Sequence, residues 1–270
     1  MVSRPPEMLG SVKSQGLRVG YKNKFGARAY VDEVNQRYKP VTAFQLEALH
    51  GIFQSDLVQG KTLLEVGCGP TLWPSFLSSR RFSDIVLSDL MEGNRLELEK
   101  CLERSKDAID WTSRAGEVAA LEGYSDTKKG ALEILERTRS SIRKVVHCDV
   151  LTPGVLPQEH EEAFDVVLSC NCIECAITNH ESFRCAACNV GSLVKPGGLL
   201  VLAGLGGPGK FTIGDHEFPM VKITDDVVKG AVADAGFKLN VYRTENMSVM
   251  GQPEVFVFVL AAHKSFKRDL

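Results

Sequence analysis

Through the middle of the chain, short segments that are apolar along their whole length alternate with segments of helical length. A strand with apolar side chains on both faces has to be covered on both sides, which is typical of parallel sheets flanked by helices. The pattern therefore predicts an α/β fold built on a parallel sheet. The predicted strands are residues 63–66, 84–90, 144–150, 164–170 and 199–205, and the predicted helical segments between them are residues 71–80, 93–107, 114–142 and 179–194.

The chain ahead of the first predicted strand has a different character. Residues 1–27 are rich in Gly, Lys and Ser and are predicted to be a flexible lead-in. Two helices are predicted next, over residues 28–38 and 42–54, because apolar residues recur at helical spacing, and Thr42 is the expected cap of the second helix. Together, residues 1–56 are interpreted as an N-terminal helical cap.

The alternation also ends after the fifth strand. Strand-like residues on both sides of a Gly-Asp pair predict a β-hairpin over about residues 211–223. A helix over residues 225–235 and two strands, over residues 238–244 and 255–262, complete the chain. Residues 57–270 are therefore predicted to be one core, which forms a single domain with the helical cap.

Composition indicates a folded protein with a sizeable core, since 44% of residues are hydrophobic and 24% are charged. Lys plus Arg number 32 and Asp plus Glu 34, so the net charge of −2 gives no support to binding of nucleic acid or of a membrane surface. No apolar run approaches the ~20 residues that cross a bilayer, and no signal-peptide pattern follows Met1. The eight cysteines are expected to be free thiols in a reducing compartment. These observations predict a cytoplasmic monomer without nucleic-acid or membrane partners.

Unusual residues follow three of the predicted strands, at the edge where open α/β sheets bind ligands. The first strand runs through Glu65-Val66 into Gly67-Cys68-Gly69-Pro70-Thr71 (the glycine loop). Its glycines permit a sharp turn and close approach of a ligand to the backbone. Asp89 ends the second strand, where a carboxylate can accept hydrogen bonds from both hydroxyls of a ribose. Asp149 ends the third strand, where it can meet the exocyclic amino group of an adenine.

Each of these features also has an ordinary structural explanation. Two glycines after a strand are commonly only a turn, and an aspartate at a strand end is commonly a helix cap. A dehydrogenase that binds a dinucleotide is disfavoured, because Pro70 removes a backbone donor and Leu72 stands where a third glycine would open the helix. A catalytically silent binding protein stays an alternative, although the glycine loop and Asp89 are both intact.

Three motifs together resemble those of class I S-adenosylmethionine methyltransferases, and more narrowly the family of nicotinamide, phenylethanolamine and indolethylamine N-methyltransferases and thioether S-methyltransferase. The likeness extends from about Tyr21 to the C-terminus. It implies a Rossmann-like fold with a mostly parallel, seven-stranded sheet, helices on both faces, and the hairpin as an insertion after strand five. The motifs are Phe25-x-x-Arg28-x-Tyr30, the glycine loop with its Gly-Pro-Thr ending, and Asn189-x-Gly191-Ser192-Leu193-x-Lys195-Pro196-Gly197-Gly198.

The resemblance implies S-adenosylmethionine as the cofactor. The positions carried over are Tyr21 and Tyr30, which would close over the cofactor, Gly67, Gly69 and Thr71 at its methionine end, Asp89 and Asn94 at the ribose, Asp149 and Val150 at the adenine, and Cys170 beside it. Two departures stand out. Asn35 replaces a second family tyrosine, so closure would be built differently, and Cys170 replaces a threonine of the nicotinamide enzyme.

The acceptor side departs further from the nicotinamide enzyme. A carboxylate after strand five falls at Gly204 here, and a serine of the hairpin falls at Met220, while the ring-stacking aromatic is kept as Phe211. A small amine other than nicotinamide is therefore the expected acceptor. Glu174 aligns with a glutamate that holds the amine in the phenylethanolamine enzyme, and Glu254 is a second candidate to meet a cationic amine.

In this interpretation Glu174 is the catalytic residue: it orients the ammonium and accepts its proton, directly or through a water. The ordinary alternative is a solvated glutamate at the start of a helix, and Phe211 alone could be packed core. Methylation of a thioether or of a ring nitrogen remains an alternative reaction, because the sequence does not specify the acceptor atom.

The cysteines raise the separate question of a metal. Cys170-x-Cys172-x-x-Cys175 and Cys185-x-x-Cys188 have spacings that resemble zinc ligands. However, the first residue ends a buried strand, and the second pair lies within a predicted helix, where spacing of i and i+3 suits core packing. No metal is therefore expected.

Overall fold

In the computed structural model the described residues are 6–249 and 252–265, with side chains described for residues 15–249 and 255–265. The helices are α1 Pro6–Lys24, α2 Ala27–Gln36, α3 Lys39–Gln54, α4 Trp73–Ser78, α5 Glu92–Leu102, α6 Thr112–Leu121, α7 Thr127–Ser141, α8 Ile173–Ala176, α9 His180–Ser192 and α10 Asp225–Asp234. The strands are β1 Thr62–Val66, β2 Asp84–Asp89, β3 Ile142–His147, β4 Phe164–Cys170, β5 Val194–Gly206, β6 Lys210–Ile213, β7 His216–Pro219, β8 Phe237–Val249 and β9 Gln252–Lys264.

Seven strands form one sheet in the order β3-β2-β1-β4-β5-β9-β8. The first five are parallel, and β9 is antiparallel to both of its neighbours. This confirms the predicted fold class, a mostly parallel seven-stranded sheet with helices. Because the strand order reverses between β1 and β4, a crevice opens at their carboxyl ends, and this is where sheets of this type bind ligands.

Two apolar layers cover the sheet. Along β1, Leu63 belongs to the layer that contains Phe76, whereas Leu64 belongs to the layer that contains Phe183. Successive side chains of a strand point to opposite faces of the sheet. Because both faces are covered, Leu63 and Leu64 are both completely buried. The continuous apolar character of the strands is thereby explained.

The N-terminal segment differs from the prediction. Residues 6–24 of the expected flexible lead-in form helix α1, despite the low helix propensity of Gly16 and Gly20. The helix is held by distant partners: the Tyr21 ring lies 4.9 Å from that of Phe218, and Arg18 forms an ion pair with Asp149. Tertiary contacts of this kind override weak local propensity.

Helix α3 begins earlier than predicted. Its first residue is Lys39, and Pro40 lies in the first turn, where the missing N–H of proline costs nothing. Thr42 is therefore inside the helix, and its hydroxyl donates to the carbonyl oxygen of Lys39 at 3.2 Å. The prediction that Thr42 caps this helix was wrong.

The hairpin forms a separate two-stranded sheet of β6 and β7 and is shorter than predicted. Gly214, in its turn, has the positive φ of 54° that favours glycine. Strand β7 ends at Pro219, because proline cannot donate to a ladder. The chain continues without strand structure to Thr224, whose side chain caps α10 by accepting from Val227 N at 3.4 Å.

Two other elements differ from the predicted ones in ways that affect the site. Strand β3 stops at His147, so Asp149 and Val150 lie in the following loop. The predicted strand over 144–150 was therefore too long at its carboxyl end. The four-residue helix α8, which carries Glu174, has no counterpart among the predicted elements.

None of the helices in the described part of the chain combines the length and the apolar character that a membrane span requires.

Candidate active site

A cleft with about 1080 Å³ of space, part of it open to solvent, lies at the carboxyl ends of β1, β2, β4 and β5. Helices α1 and α2 and the hairpin form its other walls. The structure brings nine of the predicted site residues to this lining: Tyr21, Tyr30, Gly67, Gly69, Thr71, Asp89, Asn94, Cys170 and Phe211.

The glycine loop forms the floor of the cleft. Gly67 and Gly69 have φ values of 67° and 60°, in the left-handed region that favours glycine. At Gly67 a Cβ would lie 2.0 Å from the sulfur of Cys172, so no larger residue fits. At Gly69 the nearest atom to such a Cβ is on the Tyr30 ring, at 3.7 Å, and this glycine borders the cleft.

Asp89 joins the glycine loop to α5. Its Oδ2 accepts from the backbone N–H of Gly69 at 2.8 Å, and its Oδ1 accepts from Met91 N at 2.8 Å and from the Asn94 amide at 2.9 Å. Burial raises the pKa of Asp89, and these hydrogen bonds oppose the shift. The Oδ1 of Asn94 is buried and has no hydrogen-bond partner in the described part of the chain. A carboxylate offers about four acceptor positions, so Asp89 can take one more donor.

A smaller pocket continues the cleft towards the loop after β3, and Tyr21, Gly67 and Asp89 line both. Asp149 and Val150 line this side pocket. The Oδ1 of Asp149 accepts from Leu151 N at 3.0 Å, and its Oδ2 is paired with Arg18 from α1 at 2.7 Å. The side pocket therefore offers a carboxylate that two donors already orient.

Aromatic rings cover the cleft from the side of α1 and the hairpin. The ring of Phe211 stacks on that of Phe218 at a centroid distance of 5.1 Å, and Tyr21 packs against Phe218. The rings of Phe25 and Tyr30 are 5.2 Å apart. Burial raises the pKa of Tyr21 and of Tyr30, and the Tyr21 hydroxyl lies within hydrogen-bonding reach of the Cys175 side chain.

At the end of β4, Cys170 lies beside a pair that the sequence did not reveal. The amide of Gln45 donates to Asn171 Oδ1 at 2.7 Å and its oxygen accepts from Asn171 Nδ2 at 2.9 Å. Asn171 lines the cleft and has a φ of 53°, a conformation that asparagine tolerates better than most residues. An asparagine directly after a buried strand was the available signal.

Glu174 is not among the residues that line the cleft. Only 2% of its surface is exposed, and its Oε1 accepts from the backbone N–H of Leu205 at 3.0 Å. Burial raises the pKa of this carboxyl to about 7. Leu205 itself lines the cleft, so Glu174 lies behind that part of the wall. Glu254 falls in β9, and its side chain lies outside the described residues.

Sequence reasoning also missed the buried carboxyl of Glu65, although an acidic residue within an apolar strand was a visible signal. Glu65 is completely buried beneath the glycine loop, and its Oε2 accepts from the Ser75 hydroxyl at 2.8 Å. Burial raises its pKa to about 8, and no described residue forms a hydrogen bond with its Oε1.

The cysteines do not form one cluster. Cys170, Cys172 and Cys175 line the cleft, whereas Cys185 and Cys188 are exposed on α9. In the described part of the chain, no group of three or more His, Cys, Asp or Glu side chains is arranged to hold a metal ion.

Asn35, which stands at the position of a second family tyrosine, does not line the cleft. Its side-chain oxygen accepts a hydrogen bond from Arg114 at 3.0 Å.

Comparison with known proteins gives consistent results. A sequence profile of the NNMT/PNMT/TEMT family matches residues 15–265. The chain is 36% identical to indolethylamine N-methyltransferase of Oryctolagus cuniculus over 228 residues, which cover 82% of this chain and 84% of that protein. It is 31% identical to nicotinamide N-methyltransferase of Homo sapiens over 225 residues, or 83% and 82% of the two chains. Phenylethanolamine N-methyltransferase of Homo sapiens is 27% identical over 246 residues, or 87% and 85%.

Among solved structures, the fold is similar to that of magnesium protoporphyrin IX methyltransferase from Synechocystis PCC 6803 with bound SAM (S-adenosylmethionine). The TM-score is 0.56 at 14% sequence identity, and the match covers 93% of this chain and 97% of that one. At this identity, the comparison supports the fold.

Proposed function

Since the chain belongs to the NNMT/PNMT/TEMT family and is a SAM-dependent methyltransferase, we propose that it methylates the nitrogen of a small amine that carries an apolar, aromatic group. The other product is S-adenosylhomocysteine. The observation that carries the proposal is the cleft itself, in which an acidic, glycine-rich end meets an end walled by aromatic rings.

The acidic end suits the ribose of SAM. Asn94 Oδ1 is a buried acceptor that no described residue satisfies, and Asp89 has room for one more donor. Two vicinal hydroxyls would supply the two donors that these atoms lack. We therefore assign Asp89 and Asn94 to the ribose, as the family resemblance implies.

The other cofactor positions are assigned around this point. Gly67, Gly69 and Thr71 are assigned to the methionine end, because Gly69 leaves the cleft side of the loop without a side chain. In the side pocket, Asp149 would accept from the 6-amino group of the adenine, and the backbone N–H of Val150 would donate to the adjacent ring nitrogen N1.

The remaining cofactor residues close the cleft. Tyr21 and Tyr30 would cover the cofactor from the N-terminal side, and Cys170 would lie beside it at the end of β4. Tyr21 also brings a buried hydroxyl to the lining, next to the side chain of Cys175. These residues would exclude water from the cleft when the cofactor is bound.

Bound SAM supplies a methyl group that its sulfonium already activates, so no nucleophilic side chain is required. The protein has to hold the acceptor nitrogen in line and exclude water. The aromatic wall of Tyr21, Phe211 and Phe218 would exclude water. Phe211 also offers a ring against which an aromatic acceptor can stack.

Glu174 is proposed to accept the proton of the amine. Its pKa of about 7 means that it changes charge near neutral pH, as a proton acceptor should. Because Glu174 lies behind Leu205, we place a water between its carboxylate and the acceptor nitrogen. Glu254 remains a second candidate for the same cation.

The acceptor end favours apolar molecules. Of the described residues that line the cleft, Asp89 alone carries a formal charge, and it stands at the cofactor end. Gly204 and Met220 replace polar residues of the nicotinamide enzyme, so a polar amide such as nicotinamide is disfavoured. The same uncharged lining supports a thioether or a ring nitrogen as the alternative acceptor.

Location and assembly are also proposals. All eight cysteines are free, which supports a reducing compartment such as the cytoplasm. The exposed surface of α7 is rich in charged side chains, which supports a monomer.

The proposal is tested by calorimetric titration of the protein with SAM and with S-adenosylhomocysteine, repeated on Asp89→Ala and on Asp107→Ala. Asp107 is a matched control, because it is exposed and pairs with Lys100 outside the cleft. We expect binding that falls at least about tenfold in the first variant only, since buried charged hydrogen bonds are lost. A screen of aromatic amines, pyridines and thioethers then identifies the acceptor. A folded wild-type protein that binds neither ligand would refute the proposal.

A further inference from the structure

Arg18 is the one charged residue that helix α1 contributes to the side pocket, counting the described residues of its lining. Its Nη2 lies 2.7 Å from Oδ2 of Asp149, the carboxylate assigned above to the 6-amino group of the adenine. No motif in the sequence indicated this arginine. It comes to the pocket only because α1 is folded against the loop after β3.

The guanidinium has a second donor that is not used. Arg18 Nε is buried and has no hydrogen-bond partner among the described residues. A buried N–H without an acceptor is unfavourable, so an acceptor supplied by a bound molecule at this position would be stabilising. The neighbouring acceptor Asp149 is already committed to Arg18 Nη2 and to Leu151 N.

Arg18 and Asp149 therefore present an N–H donor beside a carboxylate acceptor. The edge of an adenine offers the complementary pattern, because its 6-amino group is flanked by two ring acceptors, N1 and N7. With N1 assigned to the Val150 amide, N7 is the ring acceptor that remains beside the amino group.

We propose that Arg18 is a further cofactor-binding residue, whose Nε donates to N7 of the adenine while its Nη2 holds Asp149 towards the 6-amino group. This inference rests on the proposed SAM site and adds to it a residue from helix α1. It predicts that the protein recognises N7 specifically.

The test uses calorimetric titration with S-adenosylhomocysteine and with its 7-deaza analogue, in which a C–H replaces N7. Wild-type protein should bind the analogue about tenfold or more weakly, the loss expected for a hydrogen bond with a charged donor. Arg18→Gln and Arg18→Lys should bind S-adenosylhomocysteine more weakly and should no longer distinguish the two ligands. Arg18→Lys keeps a cation that can pair with Asp149 but lacks the Nε donor. This variant therefore separates the effect of the ion pair that holds α1 from the effect of the hydrogen bond to N7.

Arg184→Gln is the matched control, because Arg184 is paired with Asp234 on the surface and lines neither pocket. It should retain both affinities. Variants of Arg18 that weaken both ligands by the same factor would overturn the inference, since Arg18 would then only fix the helix. So would variants that bind both ligands as the wild type does. Failure of wild-type protein to bind S-adenosylhomocysteine would instead overturn the proposed function, and the inference with it.

Discussion

The carboxylate of Glu174 occupies the space that a side chain at Gly204 would need. Its Oε1 lies 2.7 Å from the position of a Cβ at residue 204 and accepts from the adjacent Leu205 N–H at 3.0 Å. A side chain at residue 204 and the Glu174 carboxylate in its present position therefore exclude each other in this backbone.

Gly204→Ala should therefore destabilise the protein. The added Cβ would also lie 2.8 Å from the Phe258 ring, and overpacking of a well-packed core costs about 1–3 kcal/mol. Urea unfolding measures the change. In the Glu174→Ala background the cost should be smaller, because one of the two clashes is removed. Equal costs in both backgrounds would contradict the interpretation.

Glu174→Gln should lower kcat/KM for an amine by about tenfold or more, since a general base is lost. In the wild type, kcat/KM should rise with pH as the carboxyl of Glu174 ionises around its pKa of about 7. The pH profile of the variant should lack this rise. Thioether acceptors have no proton to lose, so their methylation should be unaffected. A Gln variant with full activity on every acceptor would remove Glu174 from the mechanism.

The stability of the Glu65→Gln variant relative to the wild type should increase as the pH rises. The folded pKa of Glu65, about 8, lies above its ordinary value of 4.5, so the folded state binds a proton that the unfolded state releases. Wild-type stability therefore falls between about pH 4.5 and pH 8, and the variant lacks this loss. Thermal unfolding across that range should show a growing difference in Tm. The exposed Glu99→Gln is the control, and a constant difference would contradict the prediction.

Gly67→Ala should be more damaging than Gly69→Ala. Both positions have positive φ, which costs a residue with a Cβ about 1–2 kcal/mol. Only Gly67 adds a steric conflict, with the Cys172 sulfur at 2.0 Å. Unfolding free energies of the two variants provide the measurement, and Gly67→Ala/Cys172→Ala should recover part of the loss. Equal destabilisation of the two single variants would show that the Cys172 contact is unimportant.

Phe211→Leu should raise the KM for an aromatic acceptor by about threefold to tenfold, because an aromatic pair contributes ~0.5–1.5 kcal/mol beyond its buried area. Leucine keeps much of the apolar volume, so the affinity for S-adenosylhomocysteine should stay constant. Steady-state kinetics and calorimetry give the two quantities. A parallel loss of cofactor affinity would indicate that Phe211 only supports the fold.

The end of the cleft that carries the glycine loop was more predictable from the sequence than the end walled by aromatic rings, for a physical reason. Residues such as Gly67 and Asp89 lie at the ends of parallel strands, and a strand end can be recognised locally. The position of Glu174 depends on α8, a single turn without a hydrophobic repeat, and on a glycine thirty residues further along. Such a distant, paired relationship has no local signal.

Helix α1 was unpredictable for a similar reason. Its glycines argue against a helix, and the residues that hold it, Asp149 and Phe218, lie far along the chain. The glycine loop could be recognised, but the buried acceptor on Asn94 and the unused donor on Arg18 follow only from the assembled structure.

Helix α1 is one wall shared by the side pocket and the aromatic end of the cleft. Arg18 borders the side pocket, while Tyr21, one turn further along, packs against Phe218 of the hairpin. Under the proposed assignments, a cofactor in the side pocket and an acceptor at the aromatic end would both contact this helix, so their binding would be thermodynamically linked. The factor by which the cofactor raises the affinity for the acceptor then equals the factor by which the acceptor raises the affinity for the cofactor. An ordered sequence of binding, with the cofactor first, follows when the acceptor region is complete only after the helix has been fixed.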